Sequence, residues 1–592
     1  MKQFFKFTFA SMLGFILANV IILIIIFTRI YSTIPAKKVV ISNTILKIEL
    51  NSNLPERTSN DPFAYFEPGK KSNATGDLGI YDMIINIRKA KNDAHINGIL
   101  LDFDMGFSGG YASMLELRNE LIDFKKSGKF IYSYSQYYTN KNYFLASVAD
   151  KIYLNKTGEV MLNGLSTDIM FYKNMLEKIG VEVNVFKCGK FKGAVEPFIL
   201  EKLSDENRLQ IDTYLQSIFD TYAVNVAKTR NISAEDFKSI CNNLDIKNAD
   251  DAIKLKVIDE TLYWDQLENI LKEKTGKKKN EENTLVTISE YAGIIKDAKA
   301  DKKNVSDKIA ILYLNGEIVD GKGNAENIGD KDIIEAIEAI KEDKKIKGVV
   351  LRINSPGGSA AASDLIYREL TLLAKEKPVV ASFGNVAASG GYYIAMAADT
   401  IISMPNTITG SIGVFGLFPN AQKLMNDKLG ITVDAVNTGK YSDMGRIDRP
   451  MREDEKAIIQ ASVNRIYDDF LTVVSKGRNS SKDYISTIAE GRVWTGKDAK
   501  EIKLTDLEGG LFTALDLMSK KIGVKDYETI EYPEAKNPLD ELKEMFGSFT
   551  ATASEAQLKS ALGENYEFMK QIKNIQRQKG IRMCLPYVSD LY

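Results

Sequence analysis

Two stretches of this sequence carry residue types suited to chemistry: Asn354-Ser355-Pro356-Gly357-Gly358-Ser359 and Asn385-Val386-Ala387-Ala388-Ser389-Gly390-Gly391-Tyr392-Tyr393. Each follows a short apolar run, 348–353 and 379–383, that reads as a buried strand. Adjacent glycines after a proline free the backbone to turn and expose its N–H groups, and open α/β sheets take ligands at the carboxyl ends of their strands. Ser389 stands at a strand-to-helix junction among small residues, which exposes its hydroxyl. The helix N-terminus beside it favours negative charge growing on a substrate oxygen. The chemistry is acyl transfer, with Ser389 as nucleophile and the N–H groups of Gly358 and Gly390 as the oxyanion hole. The competing assignments are a helix N-cap for Ser389 and an ordinary turn for the glycine loop.

An activated serine needs a base. The chain has one histidine, His95, in the polar stretch Lys91-Asn92-Asp93-Ala94-His95, where a surface position is expected. The base is then a lysine or a carboxylate. Cys188, Cys241 and Cys584 lie far apart with neither metal-ligand spacing nor an even count for a disulfide framework. No metal and no cofactor is expected. With 78 basic against 79 acidic residues the net charge is −1, which gives no electrostatic ground for a nucleic-acid partner. Lys277 to Lys279 read as linker and 479–483 as a solvated loop.

The elements that must position these residues come as a repeat. Ile96-Asn97-Gly98-Ile99-Leu100-Leu101-Asp102-Phe103 reads against Ile346-Lys347-Gly348-Val349-Val350-Leu351-Arg352-Ile353, 250 positions on. Ala112-Ser113 reads against Ala362-Ser363, Ala149-Asp150 against Ala398-Asp399, Gly189-Lys190-Phe191 against Gly439-Lys440-Tyr441, and Asp251-Ala252 against Asp498-Ala499. Ordered matches at a nearly constant offset mean two homologous domains. In the second copy, 309–314, 348–353 and 379–383 read as strands and 332–341 and 363–375 as helices. Such alternation builds right-handed βαβ crossovers on a mainly parallel sheet. The expected segments are a first copy at 40–275, a charged connecting segment at 276–304, a second copy at 305–535, and at 536–592 a helical arm and tail for packing or oligomerisation.

Residues 7–28 form an uncharged run dense in Ile, Leu, Phe and Val, and roughly 20 such residues span a hydrocarbon core as a helix. A cleavable signal peptide is the alternative; the run is long for one, and Arg29-Ile30-Tyr31 is a poor cleavage site. A single-pass anchor at 1–32 is expected. Lys2 and Lys6 before the run nearly balance Arg29, Lys37 and Lys38 after it, so the flanking charges leave its orientation undecided.

The NSPGG loop, the AASGGYY segment and the following Thr409-Gly410-Ser411-Ile412-Gly413 together resemble signal peptide peptidase A. In the first copy, Phe191-Lys192-Gly193-Ala194-Val195-Glu196-Pro197-Phe198 is similar to the lysine motif of that family's long, tandem-repeat form. The resemblance implies two tandem ClpP/crotonase-like α/β domains, with mainly parallel sheets, behind one transmembrane helix. It implies Lys192 as general base and Ser411 as the group that orients it. It also implies a homotetramer on the periplasmic side of the inner membrane that cuts remnant signal peptides within their apolar segments.

The repeat adds its own argument. Counting back 249 positions from Ser389 gives Asn140, and counting forward 250 from Lys192 gives Ser442. Each copy keeps what the other lacks, so a Ser/Lys site must lie where unlike copies meet. A free lysine titrates near ~10.4, so burial must depress Lys192, and Phe191, Val195 and Phe198 are the neighbours able to exclude water. Lys190 and Lys440 read as surface lysines, with Lys440 the rival base in the serine's own copy. Two other classes stay open: a crotonase-like acyl-thioester enzyme, which has no need of Ser389, and an inactive membrane scaffold.

Overall fold

The computed structural model describes residues 40–51, 53–58, 78–103, 106–299, 307–324, 326–534 and 580–585, with positions 6–7, 12–14 and 17 near the N-terminus. The apolar run at 7–28 lies almost wholly outside them. No helix among the described residues is long and apolar enough to cross a membrane.

Runs such as Ile-Ala-Ile-Leu-Tyr-Leu and Gly-Val-Val-Leu-Arg-Ile are apolar on both faces of a strand, so they need cover on both sides, as in parallel sheets flanked by helices. Each copy builds one such sheet. In the first, the order is Glu260–Thr261, Lys151–Val160, Phe130–Tyr138, Ile96–Phe103, Thr44–Leu50, Thr284–Thr287, all parallel. In the second, Val379–Ala388, Ile346–Ser355, Lys308–Asn315 and Glu528–Tyr532 follow in the same arrangement, with Thr400–Ser403 and Ile408–Gly410 beside Val379–Ala388. Helices Ile80–Asn92 and Tyr111–Lys125 of the first copy answer to Asp330–Glu342 and Ala360–Leu373 of the second. Residues 276–304, expected as a connecting segment, contribute the edge strand Thr284–Thr287 and the helix Ile288–Lys299 to the first copy.

A smaller sheet joins the copies. Its order is Asn327–Gly329, Glu317–Val319, Gly357–Ser359, Gly580–Cys584, Val414–Asn420, Glu182–Cys188. Glu182–Cys188 of the first copy lies antiparallel along the whole of Val414–Asn420, from Cys188 opposite Val414 to Glu182 opposite Asn420. Part of the C-terminal stretch is thus a strand, Gly580–Cys584, between the glycine loop and Val414–Asn420.

The second tie between the copies is ionic. Arg352, fully buried on the central strand, donates from Nε to Glu56 at 2.7 Å and from Nη2 to Glu116 at 3.0 Å. Its Nη1 donates to Ser382 Oγ and to the Phe383 carbonyl. Ser113 Oγ donates to Glu56, and Ser113 N–H donates to Asn385 Oδ1, on the strand that ends at Ser389. Removing one member of such a group strands its partners in a medium that cannot solvate them. Arg352→Met therefore lowers stability by about 3–5 kcal/mol. Thermal unfolding reads this directly, and an unchanged midpoint would show that the two carboxylates keep other partners.

Candidate active site

Lys192 follows the strand that crosses into the second copy, and its backbone is pinned to a turn there. Phe191 N–H donates to the Glu490 carbonyl at 3.0 Å, and Gln210 bridges the copies by donating to the Phe191 carbonyl while accepting from Val493 N–H. Gly491 lies flat against this backbone: a methyl group on it would come within 2.8 Å of Lys192 N, and its φ of +77° also suits glycine. Downstream, buried Glu196 accepts from Ser204 N–H, Ser204 Oγ and Asn207 Nδ2, holding the loop's far end.

The amine ends in the second copy. Lys192 Nζ donates to Ser389 Oγ at 2.9 Å, to Ser411 Oγ at 2.9 Å and to the Ser411 carbonyl at 3.1 Å. All three acceptors are uncharged, and Lys192, Ser389 and Ser411 are fully buried. Burial without a counter-charge pushes the lysine pKa down to about 7. Val195 and Phe198 pack with Phe415 and Leu417 in the apolar cluster next to the loop, and Arg492 lies over the Phe191 ring.

Both serines sit on strained backbone. Ser389 has φ +55° and ψ −117°, and Ser411 has φ +50°, a region costing a non-glycine residue about 1–3 kcal/mol unless its surroundings impose it. The surroundings do so here. Ser389 N–H donates to the Gly410 carbonyl at 2.8 Å, Tyr393 N–H donates to the Ser389 carbonyl, and Ser411 N–H donates to the Arg492 carbonyl at 2.7 Å. The turn projects the Ser389 hydroxyl from the end of its strand toward the lysine.

The glycine loop completes the arrangement. Gly357, at φ +94°, packs its bare Cα near Gly390: a methyl group there would stand 2.7 Å from Gly390 N and 2.2 Å from the Met583 carbonyl oxygen. Gly358, next in sequence to Gly357, and Gly390, next to Ser389, are thereby brought near one another. A neutral amine hydrogen-bonded to a hydroxyl can take its proton, and amides beside that hydroxyl can stabilise an oxyanion.

The other candidates lie elsewhere. Lys440 is exposed and paired with Asp454, whose carboxylate raises its pKa. Lys190 is exposed and paired with Glu490 at 3.3 Å. His95 is exposed, its ring bonded to Asp93. The repeat counterparts are inert in this respect: Asn140 donates to Asn163 Oδ1 and the Gly164 carbonyl, and exposed Ser442 donates to the Gly439 carbonyl. Reasoning from sequence missed Gln210, Gly491 and the Arg352 group. A visible signal existed only for Arg352, a charge inside a run that reads as buried.

Comparison with known proteins places the chain in a family. The model of Peptidase family S49 matches twice, at residues 123–278 and 371–525, and that of Clp protease matches residues 300–409. Protease 4 of Haemophilus influenzae is 34% identical over 74% of this chain and 72% of its own. Protease 4 of Salmonella typhi is 33% identical over 82% of this chain and 79% of its own. The chloroplastic serine protease SPPA of Arabidopsis thaliana is 32% identical over 80% and 70%. Fold and relatives define a serine-type protease, a hydrolase acting on peptide substrates. The chain belongs to peptidase family S49.

A lysine titrating near 7 when folded and near 10.5 when unfolded has a consequence for stability. Between those values the unfolded chain binds the extra proton, so stability rises with pH through that window. At pH 7 the depression costs about 4 kcal/mol at 1.36 kcal/mol per unit. Three hydrogen bonds at about 1 kcal/mol each offset most of it. Lys192→Met should therefore be more stable than wild type by about 1–2 kcal/mol at pH 7. Unfolding at pH 7 and pH 9.5 checks this; an advantage that does not shrink at the higher pH would contradict the depressed lysine.

Proposed function

We propose that Ser389 and Lys192 form the Ser/Lys dyad of a membrane-anchored endopeptidase that degrades remnant signal peptides after their release. The observation that carries this reading is the 2.9 Å contact between a fully buried lysine of one copy and a strained serine of the other. Neutral Lys192 takes the Ser389 proton as Oγ attacks a peptide carbonyl, then gives it to the leaving amine. Gly358 and Gly390 N–H groups hold the oxyanion, and Ser411 keeps the amine directed at Ser389. Residues 40–275 act as the lysine-bearing domain, 305–535 as the serine-bearing one, and 276–304 joins them. The uncharged run at 7–28 serves as the anchor, holding the site on the periplasmic side of the inner membrane beside substrates that partition into lipid. The inactive-scaffold alternative requires Ser389 and Lys192 to point apart, and the acyl-thioester alternative leaves their contact unused.

The dyad needs the free amine. Below pH 7 the protonated fraction of Lys192 grows, so kcat/KM falls about tenfold per pH unit on that side. Ser389→Ala and Lys192→Ala each lower cleavage of a synthetic signal peptide about a thousandfold or more, and Lys440→Ala leaves it unchanged. Activity that survives Ser389→Ala would sink the reading.

The homotetramer draws support from an unused joint. Glu182–Cys188 of the first copy pairs with Val414–Asn420 of the second. The repeat counterpart of the former, 432–438, is exposed along its length, Val436 completely. The counterpart of the latter, 164–170, ends in exposed Met170. Each chain thus carries a counterpart of both halves of the same joint, one in each copy, which suits head-to-tail pairing with another chain. Val433→Asp combined with Val436→Asp should give monomers in sedimentation equilibrium; an unchanged mass would place the contact elsewhere.

A further inference from the structure

We infer that Gln210 is a positioning residue of the dyad, whose side-chain amide fastens the backbone of Lys192 to the strands that hold Ser411 and Ser389. The inference rests on the Ser389–Lys192 reading above.

Gln210 is buried on the helix Asp205–Arg230 of the first copy. The two ends of its amide go to backbone groups of different copies. Nε2 donates to the Phe191 carbonyl at 3.0 Å, and Oε1 accepts from Val493 N–H at 3.0 Å. A carbonyl only accepts and a backbone N–H only donates, so these partners fix which end of the amide is which. They also select the residue type. A carboxylate cannot donate to the Phe191 carbonyl, and an ammonium or guanidinium cannot accept from Val493 N–H, whereas an amide does both.

Each partner stands one residue from the groups that hold the site. Phe191 precedes Lys192. Val493 follows Arg492, whose carbonyl accepts from Ser411 N–H at 2.7 Å. Val493 also stands opposite Gly410, whose carbonyl accepts from Ser389 N–H at 2.8 Å. Val493–Thr495 is an edge strand of the second copy's sheet, and Gln210 takes its N–H where a further strand would otherwise be needed.

The amide is itself held in place. Asn207, fully buried three residues earlier on the helix, accepts from Gln210 Nε2 at its Oδ1 and donates from Nδ2 to buried Glu196 at 2.6 Å. A methyl group on Gly193 would stand 2.5 Å from Asn207 Oδ1. The start of the helix thus lies against the residues on both sides of Lys192, with Gln210 at Phe191 and Asn207 at Gly193.

Cutting this bridge loosens the loop without releasing it, because Phe191 N–H still donates to the Glu490 carbonyl. A loosened loop lengthens the contact from Lys192 Nζ to Ser389 Oγ and admits water to the amine. Water stabilises the ammonium, so proton uptake moves to higher pH. Farther along the same helix, Ser217 Oγ meets Thr495 Oγ1 of the same strand at 3.2 Å. That second tie between the copies lies away from Lys192 and serves as the control.

Steady-state cleavage of a synthetic signal peptide by the full chain, measured from pH 6 to pH 9.5, tests this. Gln210→Met keeps the side chain's length and helix propensity but neither hydrogen bond. It should lower kcat at pH 7 about tenfold while KM stays within about twofold of wild type. The acid limb of kcat/KM should move to higher pH, so that the deficit narrows by pH 9.5. Gln210→Asn, an amide one methylene too short to span both partners, should do the same and carries the test should Gln210→Met not fold. Ser217→Ala should leave kcat and the acid limb where they are. Wild-type kcat in the Gln210 variants overturns the proposal, and so does a loss with an unmoved acid limb or one that Ser217→Ala shares. Each of those results leaves the protease reading standing as long as Ser389→Ala is inactive in the same assay. Activity in Ser389→Ala overturns both.

Discussion

A lysine amine stays neutral near pH 7 only where water is kept from it and no carboxylate is close enough to hold its proton. Lys192 meets both conditions: it is fully buried, and its three polar partners are two serine hydroxyls and a carbonyl, none of them charged. That environment is unfavourable to the folded chain at neutral pH, so the rest of the structure must impose it. Each device around the site does so. The strand Glu182–Cys188 carries the lysine into the other copy, Gln210 and Gly491 fix its backbone there, and Val195 and Phe198 pack beside it.

On the proposed Ser389–Lys192 reading, the same constraint ties the two copies together. The serine's own copy has at the lysine position Ser442, exposed and bonded to its own turn. The lysine's copy has at the serine position Asn140, whose amide is committed to Asn163 and Gly164. The relative placement of the copies then decides whether Lys192 reaches Ser389. Arg352 is suited to fixing it, because its planar guanidinium can satisfy two carboxylates of the first copy and two groups of the second at once. Through Ser113 and Asn385 the same group reaches the strand that ends at Ser389.

Much of this was legible in the sequence, for definite reasons. The repeat offset exposed the duplication, continuous apolar runs gave the central strands, and the complementary loss at 140 and 442 pointed to a site between copies. The helix expected at 363–375 is observed at Ala360–Leu373, because Ser359 Oγ caps Ala362 N–H and starts it earlier. The smaller sheet was not legible. Its strands come from positions as far apart as 182 and 584, and no local period links them, since backbone pairing between distant segments leaves no mark on composition. Gln210 was invisible for the same reason: it lies on a long helix with ordinary periodicity, and only the fold brings it against Val493.

The smaller sheet differs from the two large ones in how its strands are recruited. Parallel sheets covered on both faces still end in edge strands, here Glu260–Thr261 and Thr284–Thr287 in the first copy. This molecule also assembles a sheet from short strands of both copies, with Gly580–Cys584 seated between Gly357–Ser359 and Val414–Asn420. Register matters in such a sheet, because a shift of one residue turns every side chain to the opposite face. Here it is fixed by Leu585 N–H donating to the Pro356 carbonyl and by Met583 standing opposite Gly358. Main-chain pairing thus fixes where Gly580–Cys584 lies against the glycine loop, while Met583 and Leu585 are buried in the apolar clusters beside it.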